Sequence, residues 1–398
     1  TALEGVRDHD ADVPVTIVSG EPHYAYFRPR LSHLLGSEVV PQQIAVKPQA
    51  WYEERHAQVL LGRTARSIDT EHRAVVLDDG VLLPARAVVL ACGSSPFVPP
   101  LPGRDRGGVF SLRTAADAQA ITEACRRART ICVVGAGPLG LEAAWALAKL
   151  DLEVHLLEHG PRLLAKMLDE PASQMLADIV ARAGIELHLA ASSESVTPEG
   201  VRLADGHDVP GQVVLFSTGV RPNLELARSA GIGVNRGVVV DANMRTSQPW
   251  IFAAGDVAEF AGAPGGTWPV AMGQGRVAGA NAARAGVAGA LTEYSAVPPS
   301  YTLMVMGTRI FTIGEVQTQE DVGLTTVISE DEARGIRRKL VLRGGKLVGG
   351  LLFGDLAKSD KIRDGVERGV ELPVAETGAA PDYAQVMEML VGALAAGV

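Results

Sequence analysis

Cys132-Val-Val-Gly135-Ala-Gly137-Pro138-Leu139-Gly140-Leu-Glu142 is the stretch that decides the fold of this chain. The apolar run Thr130–Val134 predicts a buried parallel strand. The glycines predict a turn, the stretch from about Leu141 to Leu150 a helix, and Glu153–Glu158 a second strand. Each glycine has a physical reason. Gly135 permits the tight turn, Gly137 lets backbone approach a pyrophosphate, and Gly140 lets the helix pack closely on the strand. The helix then faces the phosphates with unpaired N–H groups and the positive end of its dipole. Glu158 lies 23 residues after Gly135, near the ~20 expected of a dinucleotide fold. A carboxylate there accepts hydrogen bonds from the adenine ribose hydroxyls and repels a 2′-phosphate, so NADH is favoured over NADPH. The competing reading is a structural turn with no ligand. His159 and Arg162 read as solvated loop residues.

Outward from this unit, the pattern alternates as in α/β domains. Residues 1–8 predict a short helix and Val13–Ser19 a buried strand. Residues 72–92 predict paired strands around Asp78-Asp79-Gly80, followed by a proline-rich linker at 94–103. Thr114 is placed as N-cap of a helix over 114–128, and a further helix is expected over Glu170–Ala183. Strands are expected at Glu186–Leu189, Gly200–Leu203 and Val213–Ser217. The last hundred residues are strand-rich (Thr302–Gly314, Leu324–Ile328, Lys339–Leu342, Leu347–Phe353) and end in two helices. The whole reads as α/β, with two Rossmann-like nucleotide-binding domains plus a small α+β C-terminal domain.

Composition narrows the function classes. Glycine is 44 of 398 residues, above the usual ~7 %. With 47 % hydrophobic and 21 % charged residues the chain buries large cores, and no apolar run is long enough for a membrane span. A net charge of −9 argues against nucleic acid as a partner. Three widely spaced cysteines, Cys92, Cys125 and Cys132, exclude a disulfide scaffold, a CxxC pair and a zinc ribbon. Nine histidines form no HxxxH or HExxH pair, so no metal site is expected, and neither GxSxG nor a P-loop occurs. A soluble, cytoplasmic enzyme is the expectation.

Several separate segments resemble the FAD-dependent pyridine nucleotide oxidoreductase family, the two-dinucleotide-binding flavoproteins. The likeness is nearest to NADH:rubredoxin and ferredoxin reductases and to the flavin portion of assimilatory nitrite reductase. Ile251-Phe-Ala-Ala-Gly255-Asp256-Val-Ala258 resembles the second FAD signature, which implies that Asp256 bonds the ribityl chain beside Gly255. Val89-Leu-Ala-Cys92-Gly93-Ser94 and Phe216-Ser-Thr218-Gly219 resemble the paired turns that close the nucleotide halves. Cys92 stands there in place of threonine and reads as a buried small hydrophobe rather than a reactive thiol. Trp268-Pro-Val-Ala-Met272-Gly-Gln274-Gly275 resembles the helix approaching the flavin ring, where its dipole supports negative charge. In Glu21-Pro-His-Tyr-Ala-Tyr-Phe-Arg28-Pro-Arg30, the resemblance implies Glu21 as FAD ribose acceptor. Arg28 either faces the isoalloxazine or forms a surface salt bridge.

Together with Gly135, Gly137, Pro138, Leu139, Gly140, Glu142 and Glu158 on the NAD side, these are the expected cofactor-binding residues; no catalytic side chain is expected. Residues 24–43 hold no cysteine, so the thiol relay of the disulfide reductases is not expected. Electrons taken from NADH then leave through FAD to rubredoxin, ferredoxin, a partner subunit or a small oxidant. The family's first FAD fingerprint is expected before Thr1. Either the sequence is truncated or that cradle is naturally lost. The alternative function is a flavin-free relative, acting as a nucleotide-binding module or catalysing a non-redox step in the former FAD cleft. Expected domains are 1–112 (FAD, first part), 113–236 (NAD), 237–298 (FAD, second part) and 299–398 (C-terminal). The basic run Arg334, Arg337, Arg338, Lys339, Arg343, Lys346 reads either as a docking site for an acidic carrier or as a solvated strand face. Val386, Met389, Leu390, Ala393 and Leu394 form a helical stripe suited to core or homodimer packing.

Overall fold

In the computed structural model of the protein, which describes residues 1–36, 39–286, 289–317, 323–373 and 382–396, Thr130–Val134 and Glu153–Leu157 pair as parallel strands in matched register. The helix between them runs Pro138–Ala148 and begins earlier than the apolar pattern suggested. Proline has no N–H to satisfy and its φ is preset for the first helical turn, so the helix starts there. These strands are central in a five-stranded parallel sheet ordered Glu186–His188, Glu153–Leu157, Thr130–Val134, Val213–Phe216, Val109–Ser111. Ile131, Cys132, Val133, Leu156 and Leu215 are fully buried, the continuous apolar run that a sheet covered on both faces demands. Thr114 caps the helix Ala115–Cys125: its Oγ1 accepts from Asp117 N–H at 3.1 Å, and Asp117 Oδ2 accepts from Thr114 N–H at 2.8 Å.

The chain divides into two compact units, Thr1–Phe97 with Val220–Ala296, and Val98–Gly219 with Val297–Val398. These limits differ from the expected boundaries at 112/113 and 236/237 for a local reason. Strand Val109–Ser111 pairs with Val214–Phe216 in the second unit. Val220–Pro222 pairs antiparallel with Ser94–Pro96 in the first. The expected linker at 94–103 therefore opens as a strand.

The second unit also holds an antiparallel sheet ordered Ser300–Val305, Thr308–Gly314, Lys346–Phe353, Ile336–Arg343, Leu324–Asp331. The run read as one strand, Thr302–Gly314, is a hairpin. Met306 and Gly307 both have positive φ (51° and 78°), as a two-residue turn between twisted strands requires. Helices Ser359–Arg368 and Tyr383–Ala396 cover this sheet. Val386, Met387 and Leu390 are buried with Phe311, Leu340, Leu342 and Leu352, and Met389, Ala393 and Leu394 are packed against them. The helical stripe belongs to the core.

In the first unit, Val15–Ser19 pairs parallel with Ala57–Leu61, and Val88–Leu90 with Ile251–Ala253. Ala74–Leu77 and Leu82–Pro84 pair antiparallel around the expected turn. Helices Ala2–Arg7 and Trp268–Ala283 cross at backbone contact: a Cβ on Gly279 would lie 2.0 Å from Ala2 O, and one on Gly5 2.1 Å from Arg276 O. Trp250, Ile251 and Phe252 anchor the core. No described helix is long and apolar enough to cross a membrane.

Candidate functional site

The glycine turn of the second unit separates packing demands from ligand demands. Gly135 has φ +104°, and a Cβ on it would lie 2.4 Å from Ser217 O. A Cβ on Gly140 would lie 2.0 Å from Gly135 O. Both are glycine because the protein itself leaves no room. Gly137 differs: a Cβ there meets nothing within 4 Å, so no contact inside the chain explains its lack of a side chain. The open space there admits close approach by a ligand. Gly137 is also the N-cap of Pro138–Ala148 and offers no side-chain cap. The first-turn N–H groups beside Pro138 and Leu139 are thus left for an external acceptor.

Glu158 sits against this turn. Its Oε2 accepts from Ala136 N–H at 3.2 Å and its Oε1 from Gly160 N–H at 2.7 Å. An ionised carboxylate has about four lone-pair sites, so acceptor capacity remains for ribose hydroxyls. Thr218 and Gly219 follow strand Val213–Phe216 beside the same turn, with Ser217 N–H bonded to Val134 O at 2.7 Å. These residues fit a pyridine dinucleotide.

Glu142 has a different partner: its Oε1 accepts from Met306 N–H at 2.7 Å. Within the second unit, that carboxylate ties the nucleotide-binding helix to the hairpin turn of the C-terminal sheet. Arg162 is not a solvated loop residue. Its guanidinium bonds Leu168 O (2.6 Å), Ala165 O (3.1 Å), Ser173 Oγ (3.0 Å) and Gln317 Oε1 (2.9 Å), because a planar five-donor group suits a cluster of carbonyls. His159 is exposed.

The basic run is likewise drawn inward. Arg337 and Lys339 are buried and meet Asp169, with Arg337 Nη2 2.6 Å and Lys339 Nζ 3.4 Å from its Oδ2. Arg337 also pairs with Glu330, Arg338 with Asp355 (2.5 Å) and Arg343 with Glu315 (2.8 Å). Neither an open docking patch nor a plain solvated face describes it. Alternation along strand Ile336–Arg343 turns Arg337 and Lys339 to one face, and both pair with Asp169 there.

In the first unit, Asp256 follows strand Ile251–Ala253 in the turn Gly255–Val257 and accepts from Ser94 Oγ at 2.7 Å. Gly255 has φ +80°, and its N–H donates to Oε1 of buried Gln274 at 2.9 Å. Gln274 thus holds the turn that presents Asp256. Met272 and Trp268 are exposed on the first turns of the same helix, with Trp268 edge-on to Phe27 at 4.6 Å. Gly93 (φ +64°) and Cys92 are fixed by Asn223, whose N–H donates to Gly93 O at 3.0 Å and whose Nδ2 donates to Cys92 O at 2.8 Å. Ser94 stood in the Val89–Ser94 motif without a role, and Asn223 was missed because it belongs to no spaced pattern.

Cys92 is exposed, contrary to the buried reading, because it follows the end of strand Val88–Leu90. Desolvation nevertheless raises its thiol, as burial does for Cys125, up to about 11, and for Cys132. All three are free and stay protonated near neutrality. Of the two readings of Arg28, the geometry shows the ion pair: its Nη2 lies 2.6 Å from Glu21 Oε1, and Tyr26 OH donates to Glu21 Oε2. Glu21 keeps acceptor sites beyond these two bonds. An apolar helix start, a turn-borne carboxylate and a strand-end carboxylate fit a flavin nucleotide.

The chain belongs to the pyridine nucleotide-disulphide oxidoreductase family, which it matches over residues 1–275. Residues 299–370 match the rubredoxin NAD+ reductase C-terminal domain. It is 32 % identical to the assimilatory nitrate reductase electron transfer subunit of Bacillus subtilis over 91 % of this chain and 47 % of that protein. The chain spans about half the length of the nitrate and nitrite reductase relatives it matches. It is 31 % identical to the ferredoxin–NAD(+) reductase component of the anthranilate 1,2-dioxygenase system of Burkholderia cepacia, over 98 % of this chain and 94 % of that one. A ferredoxin reductase structure from Rhodopseudomonas palustris superposes with a TM-score of 0.82 at 25 % identity, covering 93 % and 92 % of the two chains. The family uses FAD and NADH.

Proposed function

We propose that this member of the family is an FAD-dependent NADH oxidoreductase that passes electrons to a rubredoxin- or ferredoxin-type protein or to a partner subunit. The observation that carries this reading is the Gly135–Gly140 turn with Glu158 against it, where only Gly137 lacks an internal reason to be glycine. In this reading Gly137, Pro138, Leu139 and Gly140 receive the pyrophosphate of NADH, and Glu158 receives the adenine ribose. Glu21, Cys92, Gly93, Gly255, Asp256, Met272 and Gln274 hold FAD or the turns that present it, with Arg28 holding Glu21. Glu142 acts by fixing the nucleotide-binding helix. Bound FAD supplies the exchange between a hydride donor and one-electron acceptors.

The chain's own groups bind and orient; no side-chain acid or base is needed for hydride transfer. Raised thiols at all three cysteines are consistent with electron exit without a thiol relay. The identity to a ferredoxin–NAD(+) reductase component and to a nitrate reductase electron transfer subunit supports the acceptor class. A cytoplasmic homodimer completes the reading. The test is the visible spectrum of the purified protein. Flavin absorption that NADH bleaches without oxygen is expected. A colourless protein that cannot be reconstituted with FAD overturns the proposal.

A further inference from the structure

We propose that the outer edge of the parallel sheet binds one divalent transition-metal ion of the zinc class through His155, Glu186 and His188. Glu186 and His188 share one strand, and the sheet, not any sequence spacing, brings His155 beside them. Strands Glu153–Leu157 and Glu186–His188 run parallel with His155 beside Glu186 and Leu157 beside His188. Since side chains alternate, Glu153, His155, Glu186 and His188 all emerge on one face.

Their ligand atoms lie close together, one from each residue within 4.8 Å of the others. His155 Nδ1 lies 3.3 Å from His188 Nε2 and 3.4 Å from Glu186 Oε2, and His188 Nε2 lies 3.4 Å from Glu186 Oε1. In a tetrahedral site with bonds of about 2.0–2.1 Å, neighbouring ligand atoms stand about 3.3–3.4 Å apart. The two imidazole nitrogens stand at that spacing from each other, and each stands at it from one of the two Glu186 carboxylate oxygens. Two imidazoles and one carboxylate select zinc-like ions over calcium or magnesium, which prefer all-oxygen shells. Glu186 is largely exposed and His188 about a quarter exposed, so a fourth position opens to water.

A second observation points to a ligand. His155 is only 3 % exposed, and its Nε2 is buried without a hydrogen-bond partner, 3.4 Å from Glu153 Oε1. Imidazoles that bind metal through one nitrogen commonly direct the other N–H at a carboxylate, and Glu153 stands where that carboxylate belongs. Without a cation, a buried ring is left with one unpaired nitrogen and another facing a second ring. With one, Nδ1 is coordinated and the Nε2 proton is aimed at Glu153. The ion would pin the three-residue edge strand to its neighbour. It would also steady Glu158, whose N–H donates to His188 O at 2.8 Å.

The test uses tag-free protein stripped with a chelator and dialysed, then titrated with ZnCl2 against a chromophoric zinc chelator. One equivalent should bind. His188→Ala should abolish this site, and Glu153→Gln should weaken it by about tenfold or more. His207→Ala, which removes an exposed histidine beside Asp205, should leave it unchanged. Thermal unfolding of each metal-free variant checks that it is folded, and His155 is left intact because it is a core residue. Absence of stoichiometric binding, or a folded His188→Ala protein that binds zinc as the parent does, overturns the proposal.

Discussion

Replacing Asp169 by asparagine tests whether the C-terminal sheet is held to the nucleotide-binding half by charge. Asp169 is buried, as are Arg337 and Lys339, which both reach it. It also caps helix Glu170–Arg182, accepting from Ala172 N–H at 3.3 Å. Asparagine keeps the size and a capping oxygen, and it removes both the charge and the second acceptor oxygen that Arg337 uses. Arg337 and Lys339 then lose this shared carboxylate; Lys339 retains Val316 O at 3.0 Å and Arg337 retains Glu330. Breaking a buried pair from one side costs about 3–5 kcal/mol. For a unit of this size that lowers Tm by roughly 6–20 °C. Scanning calorimetry reads it as an earlier transition of the second unit.

The pH dependence supplies a sharper check. Burial alone raises the Asp169 carboxyl, but the hydrogen bond and charge of Arg337, with the charge of Lys339, outweigh it and hold it below the usual range. A depressed folded pKa gives stability that is present above the unfolded value, about 3.9, and lost as pH falls through the folded value. The gap between parent and Asp169→Asn should therefore be full at neutral pH and close under acid. A Tm change below about 2 °C, or a gap that persists unchanged at acid pH, refutes the electrostatic account.

Glu158→Ala should lower kcat/KM for NADH by about ten- to a hundredfold, the worth of hydrogen bonds to a charged group, and leave NADPH use equal or better. Steady-state kinetics with both nucleotides decides it, and an unchanged preference refutes the ribose role. Gly137→Ala should fold with nearly parental Tm, since its Cβ meets no protein atom, yet raise KM for NADH by about tenfold. Gly140→Ala, whose Cβ would lie 2.0 Å from Gly135 O, should instead cost about 1–3 kcal/mol of stability.

What could be read from the sequence followed from the range of the interactions. Thr130–Val134, the glycine turn and Glu153–Leu157 are local, and Glu158 lands on the turn because a strand–helix–strand path of that length returns there. The Thr114 cap was legible for the same reason, with its partner three residues on. Arg337 was not, because its partner is 168 residues away and a row of cations looks identical whether buried or solvated. Glu142 was misleading: it sits in the motif, but its carboxylate answers Met306, 164 residues on. His155 falls in the same class, brought beside Glu186 and His188 only by the sheet.

Capping adds an argument that neither motif nor family provides. Helix Ala115–Cys125 begins at Thr114 and helix Glu170–Arg182 at Asp169, each with a side-chain oxygen on a backbone N–H of its first turn. Helix Pro138–Ala148, beside them in the same unit, begins at Gly137 with no such oxygen. A glycine N-cap costs only a few tenths of a kcal/mol relative to Ser, Thr, Asn or Asp, but it leaves these N–H groups without the side-chain acceptor that the two neighbouring helices have. Here the uncapped start coincides with the one glycine of the turn whose Cβ would meet nothing. An anion at that position satisfies the N–H groups and the dipole together. The missing cap and the open space thus support the proposed pyrophosphate position independently of the glycine spacing that first suggested it.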